Sequence, residues 1–274
     1  MWRRRPLAVV GLGGFVTGPG GVAAWLTRRP LIIHEQNAIA GFTNRCLAHL
    51  AREVLEAFPG SFGAGIRARA IGNPVRAEIA DTRPPAARFA ERGGAIRILV
   101  IGGSQGAARL NTVVPLALAS LPQSVAVEVR HQSGSRWHEA AERAYASAGV
   151  RGEVTPFIDD MAAAYAWADL VVCRAGALTI SELAAAGVGA ILVPFPAAVD
   201  DHQTANARYL VSGGAAVLID DRELTPARLA EELARLCASR GPLLAMAERA
   251  RALARPQAAD ELAAVCLRYA EGAA

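Results

Sequence analysis

The chain has 274 residues, of which 53% are hydrophobic and 20% charged. That length suits two small domains or one large one, and that composition excludes a disordered chain. All 29 basic residues are arginine in an Ala- and Gly-rich background, so the net charge of +4 reads as base composition and is weak evidence for a nucleic-acid partner. The charge is uneven: residues 1–80 hold ten Arg against four Glu, a balance that suits an anionic partner such as a phospholipid surface or a pyrophosphate.

Apolar runs are broken by Gly, Pro or charge well before the roughly 20 residues of a membrane span. The segment 7–21 is too rich in Gly for the apolar region of a signal peptide, so a cytoplasmic location is expected. Cys46, Cys173, Cys237 and Cys266 are far apart, with no Cys-x-x-Cys pair. They are expected to be buried free thiols, neither a zinc site nor a disulfide framework.

In chain order, strand signals fall at 7–10, 31–34, 97–101, 125–130, 153–157, 170–173, 190–193 and 215–219. Helical patterns lie at about 107–120, 136–148, 160–168, 178–186, 201–212 and 225–238. Strands alternating with such helices imply right-handed βαβ units and mainly parallel sheets, with ligands beyond the carboxyl ends of the strands. The stretch 74–95, rich in Pro, Gly and charge, reads as a break between domains. The chain therefore divides into a first domain at 1–80, a linker at 81–95, a second domain at 96–255 and a helix within 256–274. That helix carries Leu262, Val265 and Cys266 on one face and is expected to pack back on the first domain. With only two clear strands, the first domain is expected to be an incomplete Rossmann-like half.

Four loop constellations carry candidate chemistry. Residues 11–21 (Gly-Leu-Gly-Gly-Phe-Val-Thr-Gly-Pro-Gly-Gly) follow a strand and either cradle an oxyanion or make a bare tight turn. Residues 101–107 add a hydroxyl, Ser104, which either caps a helix or donates to a phosphate. Neither loop matches Gly-x-x-x-x-Gly-Lys-Ser/Thr, and a chain without lysine has no P-loop. In Arg174-Ala175-Gly176-Ala177-Leu178-Thr179-Ile180-Ser181-Glu182, helix amides near Leu178 and Thr179 can hold a phosphate. Glu182 can accept both hydroxyls of a ribose, or it caps the helix together with Thr179. The fourth set is polar: 34–37 (His-Glu-Gln-Asn), 72–76 (Gly-Asn-Pro-Val-Arg) and 200–206 (Asp-Asp-His-Gln-Thr-Ala-Asn). A bound sugar or nucleotide would give these groups partners, as would capping and solvent. The adjacent pairs Asp159-Asp160 and Asp200-Asp201 read as helix starts.

The runs GGFVTGPGG, HEQNAIAG, GNPVR, GGSQGA, FIDDMAAAYAWADLVVCRAGALTISELAAAG and DDHQTANA, in that order, resemble the bacterial MurG family. These are the UDP-N-acetylglucosamine:lipid I N-acetylglucosaminyltransferases of peptidoglycan synthesis. The resemblance implies an α/β GT-B fold: two Rossmann-like doubly wound domains, of which the N-terminal one is here expected to be incomplete. It implies inverting transfer of GlcNAc from UDP-GlcNAc to the C4 hydroxyl of the muramoyl sugar of lipid I, giving lipid II and UDP. It also implies the cytoplasmic face of the inner membrane as location, an anionic lipid surface as docking partner, and no nucleic acid. Trp25, Leu26, Arg28 and Arg29 sit together in the sequence and either form such an interfacial surface or, for Trp25 and Leu26, pack in the core. No cofactor or bound metal is obligatory, and a divalent cation is at most stimulatory.

By the family's motif positions, Ile158 meets the uracil through its backbone and Glu182 holds the ribose. Ser104, Ala177, Leu178 and Thr179 surround the diphosphate, with Ile180 and Ser181 in the same donor-binding run. Asn37 and Gln203 bind the GlcNAc hydroxyls, and Arg76 reaches the donor from the linker side. Gly13, Gly14, Thr17 and Gly18 take the acceptor pyrophosphate. Two departures stand out. The family opens with another Gly-rich loop ending in His, a candidate base; no such segment precedes Met1, so the chain is expected to be N-terminally truncated or to have its start assigned too late. Glu35 is then the nearest acidic candidate for the base. The alternative function is a UDP-GlcNAc-binding chain impaired in catalysis, or a GT-B transferase with another acceptor. Position 175 is Ala where the family usually has Ser.

Overall fold

Residues 31–35 run Leu-Ile-Ile-His-Glu, and all five are buried. A strand with no polar-out alternation has both faces covered, as in a parallel sheet sandwiched between helices. The computed structural model describes residues 5–103, 107–196 and 201–271 and contains two such sheets.

The first unit runs β1 (Val9–Gly11), α1 (Thr17–Leu26), β2 (Leu31–Glu35), α2 (Phe42–Ala48), β3 (Glu53–Glu56) and β4 (Arg69–Ala70). Two short helices follow, α3 (Ala77–Ala80) and α4 (Pro85–Ala90). The second unit comprises β5 (Ile96–Ile101), α5 (Ala108–Ala119), β6 (Val127–Gln132), α6 (His138–Ala148), β7 (Glu153–Thr155), α7 (Met161–Trp167) and β8 (Leu170–Cys173). It continues through α8 (Ala177–Ala186), β9 (Gly189–Leu192), α9 (His202–Ser212), β10 (Ala216–Leu218), α10 (Pro226–Cys237), α11 (Arg240–Ala252) and finally α12 (Ala258–Glu271).

Strand order is β1-β2-β3-β4 in one sheet and β10-β9-β8-β5-β6-β7 in the other, all parallel. In the first sheet, Leu31 and Ile33 pack against Ala24 of α1 and Leu47 of α2. Ile32, one residue out of phase, faces the other side with Leu55, Ile71 and Val265 of α12. Leu262 and Cys266 join that contact, and Tyr269 donates to Glu53 at 3.1 Å. The two units share a core, because Ala57 and Phe58 pack with Ala184, Tyr165 and Leu210. Among the described residues no helix is long and apolar enough to cross a membrane.

Several expectations change. The first unit has four strands rather than two: β3 is bracketed by Glu at both ends, and β4 is only two residues long. The segment 11–21 is not loop throughout, since α1 starts at Thr17 with Pro19 in its first turn, where a missing N–H costs nothing. The same arrangement hid α11, which opens Arg-Gly-Pro. The linker is built rather than slack. Ile79 and Phe89 are buried, and the buried Arg88 guanidinium donates to the Ala186 carbonyl at 2.7 Å and the Gly187 carbonyl at 2.6 Å, closing the end of α8. Of the free cysteines, Cys173 and Cys237 are buried, but Cys46 is exposed. Asp160 caps α7 by accepting from Ala163 N–H, whereas Asp201 precedes α9 without a side-chain cap; Asp200 lies outside the described residues.

Candidate active site

In the second sheet, β5 is flanked by β6 and β7 on one side and by β8, β9 and β10 on the other. The order in which the strands are laid down reverses between β5 and β8, and the crevice beyond their carboxyl ends is the place for a ligand. A cavity of about 710 Å³ opens there, walled by Ile101, Gly102 and Gly103 after β5 and by Cys173, Arg174 and Gly176 after β8. Thr179 of α8 and Gln203 of α9 complete the wall, with Trp137 and Phe195 as aromatic sides.

The α8 terminus at this cavity is uncapped: Gly176 precedes it with no side-chain bond. Ile180 N–H already bonds the Gly176 carbonyl at 2.9 Å, so the free amides of the first turn are those of Ala177, Leu178 and Thr179. They make a ready anion site. Arginines add positive charge. Arg174 donates to the Val193 and Pro194 carbonyls at 3.1 Å and pairs with Asp221, which also meets Arg109 at 3.7 Å. Two guanidinium groups thus share one carboxylate at the cavity wall.

Glu182 stands three residues beyond Thr179 on the same helix face. Tyr165, fully buried, donates to its Oε2 at 3.0 Å, and Arg76, just before α3, lies 3.8 Å from Oε1. Burial pushes the Glu182 carboxyl above its usual range, while Tyr165 and Arg76 pull it back. Two residues expected in separate roles are therefore an ion pair. Gln203 Oε1 accepts from Phe195 N–H at 2.8 Å and Ala175 N–H at 3.2 Å, which fixes its side chain at the cavity. Ala175 itself is fully buried, so its methyl stands away from the ligand space.

Other expected residues fall elsewhere. Ile180 is fully buried in the core and its N–H is used within the helix, so it is not a ligand contact. Ser181 donates to the Ala177 carbonyl and accepts from Asn73 at 3.1 Å; it borders a small crevice with Asn73 and Tyr209, not the main cavity. Ile158 lines a neighbouring cavity of about 280 Å³ with Phe157 and Arg130. Ser104 lies outside the described residues.

Glu35 does not stand free as a base. It is 2% exposed, its Oε1 accepts from the backbone and side-chain amides of Asn37, and its Oε2 accepts from Gly41 N–H and Asn44 Nδ2. A carboxylate filled by four donors holds a turn and has no place for a substrate proton. Asn37 is committed too, donating to Glu35 and accepting from Asn206 at 3.2 Å.

In the first unit, Gly13 and Gly14 take positive φ values of 82° and 76° just before α1. The α1 terminus is also uncapped, leaving the Thr17 and Gly18 amides without side-chain partners. Sequence reading missed Arg109, Asp221 and Tyr165, and it named Asn206 only as a member of the polar run 200–206, with no role of its own. For Asn206 a signal existed: it lies three residues from Gln203 and so shares its helix face. The others reach the site only through tertiary contacts.

Residues 97–262 match the glycosyltransferase family 28 C-terminal domain, and residues 1–56 match the family 28 N-terminal domain. The chain is 58% identical over 270 residues to a protein of Marinobacter nauticus named UDP-N-acetylglucosamine–N-acetylmuramyl-(pentapeptide) pyrophosphoryl-undecaprenol N-acetylglucosamine transferase, covering 98% of the chain and 74% of that protein. A protein of the same name from Nitrosococcus oceani is also 58% identical, covering 98% and 75%. The crystal structure of Acinetobacter baumannii MurG superposes with a TM-score of 0.89 at 42% identity, covering 98% of this chain and 75% of that one. The two parallel α/β units are thus those of a GT-B fold, and the chain belongs to glycosyltransferase family 28, among the MurG N-acetylglucosaminyltransferases.

Proposed function

We propose that this chain moves N-acetylglucosamine from UDP-GlcNAc to the C4 hydroxyl of the muramoyl sugar of lipid I, giving lipid II and UDP. The observation that carries the reading is the cavity at the β5/β8 reversal, where an uncapped helix terminus and two arginines meet in a chain of this family. The diphosphate lies on the Ala177, Leu178 and Thr179 amides, with the Ser104 hydroxyl as a further donor. Glu182, held by Tyr165, takes the ribose hydroxyls; Gln203 takes the sugar; the Ile158 backbone takes the uracil. As the glycosidic bond breaks, charge grows on the departing UDP oxygens, and amides and guanidinium groups aimed there stabilise it without an obligatory metal. Proton acceptance is not assigned to Glu35, whose four donors remove it from the chemistry. The acceptor pyrophosphate sits on Gly13, Gly14 and the first turn of α1.

An apolar face supports peripheral docking on the anionic cytoplasmic leaflet, with no nucleic-acid partner. Phe15 is 91% exposed, Leu26 68% and Trp25 51%, and a cavity of about 390 Å³ beside Trp25 is lined by Arg28, Arg29 and Arg52.

The test is calorimetric titration with UDP-GlcNAc, with UDP as competitor, followed by transfer of labelled GlcNAc to a lipid I analogue. Binding with transfer is the expected outcome, and absence of UDP-GlcNAc binding refutes the donor site. Binding without transfer selects the second reading, a sugar-nucleotide binder impaired in catalysis, which the commitment of Glu35 to its turn favours.

A further inference from the structure

Asn206 is fully buried, and each hydrogen bond of its side chain leaves its own helix. Its Oδ1 accepts the Ala38 N–H at 2.7 Å, and its Nδ2 donates to Asn37 Oδ1 at 3.2 Å and to the Ala175 carbonyl at 3.3 Å. Asn37 and Ala38 belong to the loop after β2 in the first unit; Ala175 belongs to the loop that opens α8 in the second. One amide therefore ties the two units together, one helical turn from Gln203 of the cavity wall. Gln203, one turn earlier on α9, accepts the Ala175 N–H, so the two side chains hold both polar ends of that residue. From the other side, Glu35 gathers the Asn37 and Gly41 amides, and Asn73 donates to the Gln36 carbonyl at 3.0 Å. The loop 36–41 has little slack relative to the second unit.

We propose that Asn206 is a positioning residue for the transfer reaction: it sets the loop 36–41 beside Ala175 and Gln203 at the mouth of α8, so that the donor sugar is read by both units while the UDP is read by one. This rests on the donor reading above. The physical basis is the cost of leaving a buried amide unpaired, which makes the tied arrangement the stable one.

The experiment compares wild type with Asn206→Ala by calorimetry against UDP and UDP-GlcNAc, and by hydrogen exchange of the unliganded proteins. UDP affinity is expected to stay within about twofold while UDP-GlcNAc affinity falls about tenfold, the scale of one buried hydrogen bond. Exchange at 36–41 is expected to accelerate. Equal losses for both ligands, or exchange at 36–41 that matches wild type, overturn the proposal, since a purely structural role moves both ligands together. A wild type that binds neither ligand refutes the donor reading, and with it the sugar role. If Asn206→Ala does not fold, Asn206→Ser, which keeps a hydroxyl at the site, is read in the same way.

Discussion

Acid should destabilise this protein through His131. The ring is fully buried between Tyr145, whose hydroxyl lies 3.0 Å from Nδ1, and Asn111, whose Oδ1 lies 3.0 Å from Nε2. Asn111 Nδ2 donates to the Ser133 carbonyl, so Oδ1 is an acceptor and Nε2 carries the ring proton. Nδ1 then accepts from Tyr145, and the neutral imidazole is satisfied on both sides. Burial lowers its pKa from 6.5 to about 4. Between those values the unfolded chain takes up a proton that the folded protein refuses. Stability is therefore fully present above pH 7 and falls as pH drops from 6.5 toward 4. At 1.36 kcal/mol per pH unit the loss reaches about 3 kcal/mol, a large share of a typical folding free energy. Urea unfolding of wild type and His131→Gln at pH values from 7.5 to 4 measures it. Burial lowers the His34 pKa as well, and the comparison with the variant removes that common contribution. Wild type should lose about 3 kcal/mol more than the variant across the range. Parallel losses in the two proteins would show that the ring is not held neutral by this network.

Tyr165→Phe removes the donor that holds the Glu182 carboxyl down, so the pH at which donor affinity declines on acidification should rise; superimposable affinity profiles would contradict this. Glu182→Ala should weaken UDP binding by about 1–3 kcal/mol in calorimetry, the range for a charged hydrogen bond, and unchanged affinity removes the ribose role. Arg88→Ala strips two buried carbonyls at the end of α8 of their donors and should cost about 2–4 kcal/mol in urea unfolding. A neutral effect would mean that the linker helices are not anchored there.

The second unit was largely legible because its buried strands are short apolar runs followed by Gly-rich turns. β8 has the expected bounds and α8 starts one residue earlier than its pattern suggests. The first unit was harder. Glu53 and Glu56 bracket β3 with charge, and Glu56 is buried only because it accepts the Gly60 and Ser61 amides, a local loop closure that residue type alone does not announce. Pro19 and Pro242 disguised helix starts as turns. At the site, Thr179 and Gln203 were readable because they follow strand ends. Glu35 was misread because a carboxylate in a polar run looks reactive until Gly41 and Asn44 are seen to fill it. The pairing of Arg76 with Glu182 joins distant parts of the chain, and periodicity carries no record of it.

The anchored linker bears on how the two units are joined. With α3 and α4 fastened to the second unit, backbone passes from one sheet to the other within the few residues after Gly72, and it returns just before α12. These crossings touch: a methyl placed on Gly72, whose φ is +91°, would lie 2.4 Å from Arg255 Cβ. The two passes lie side by side like the knuckles of a hinge, and glycine is the residue that lets them meet.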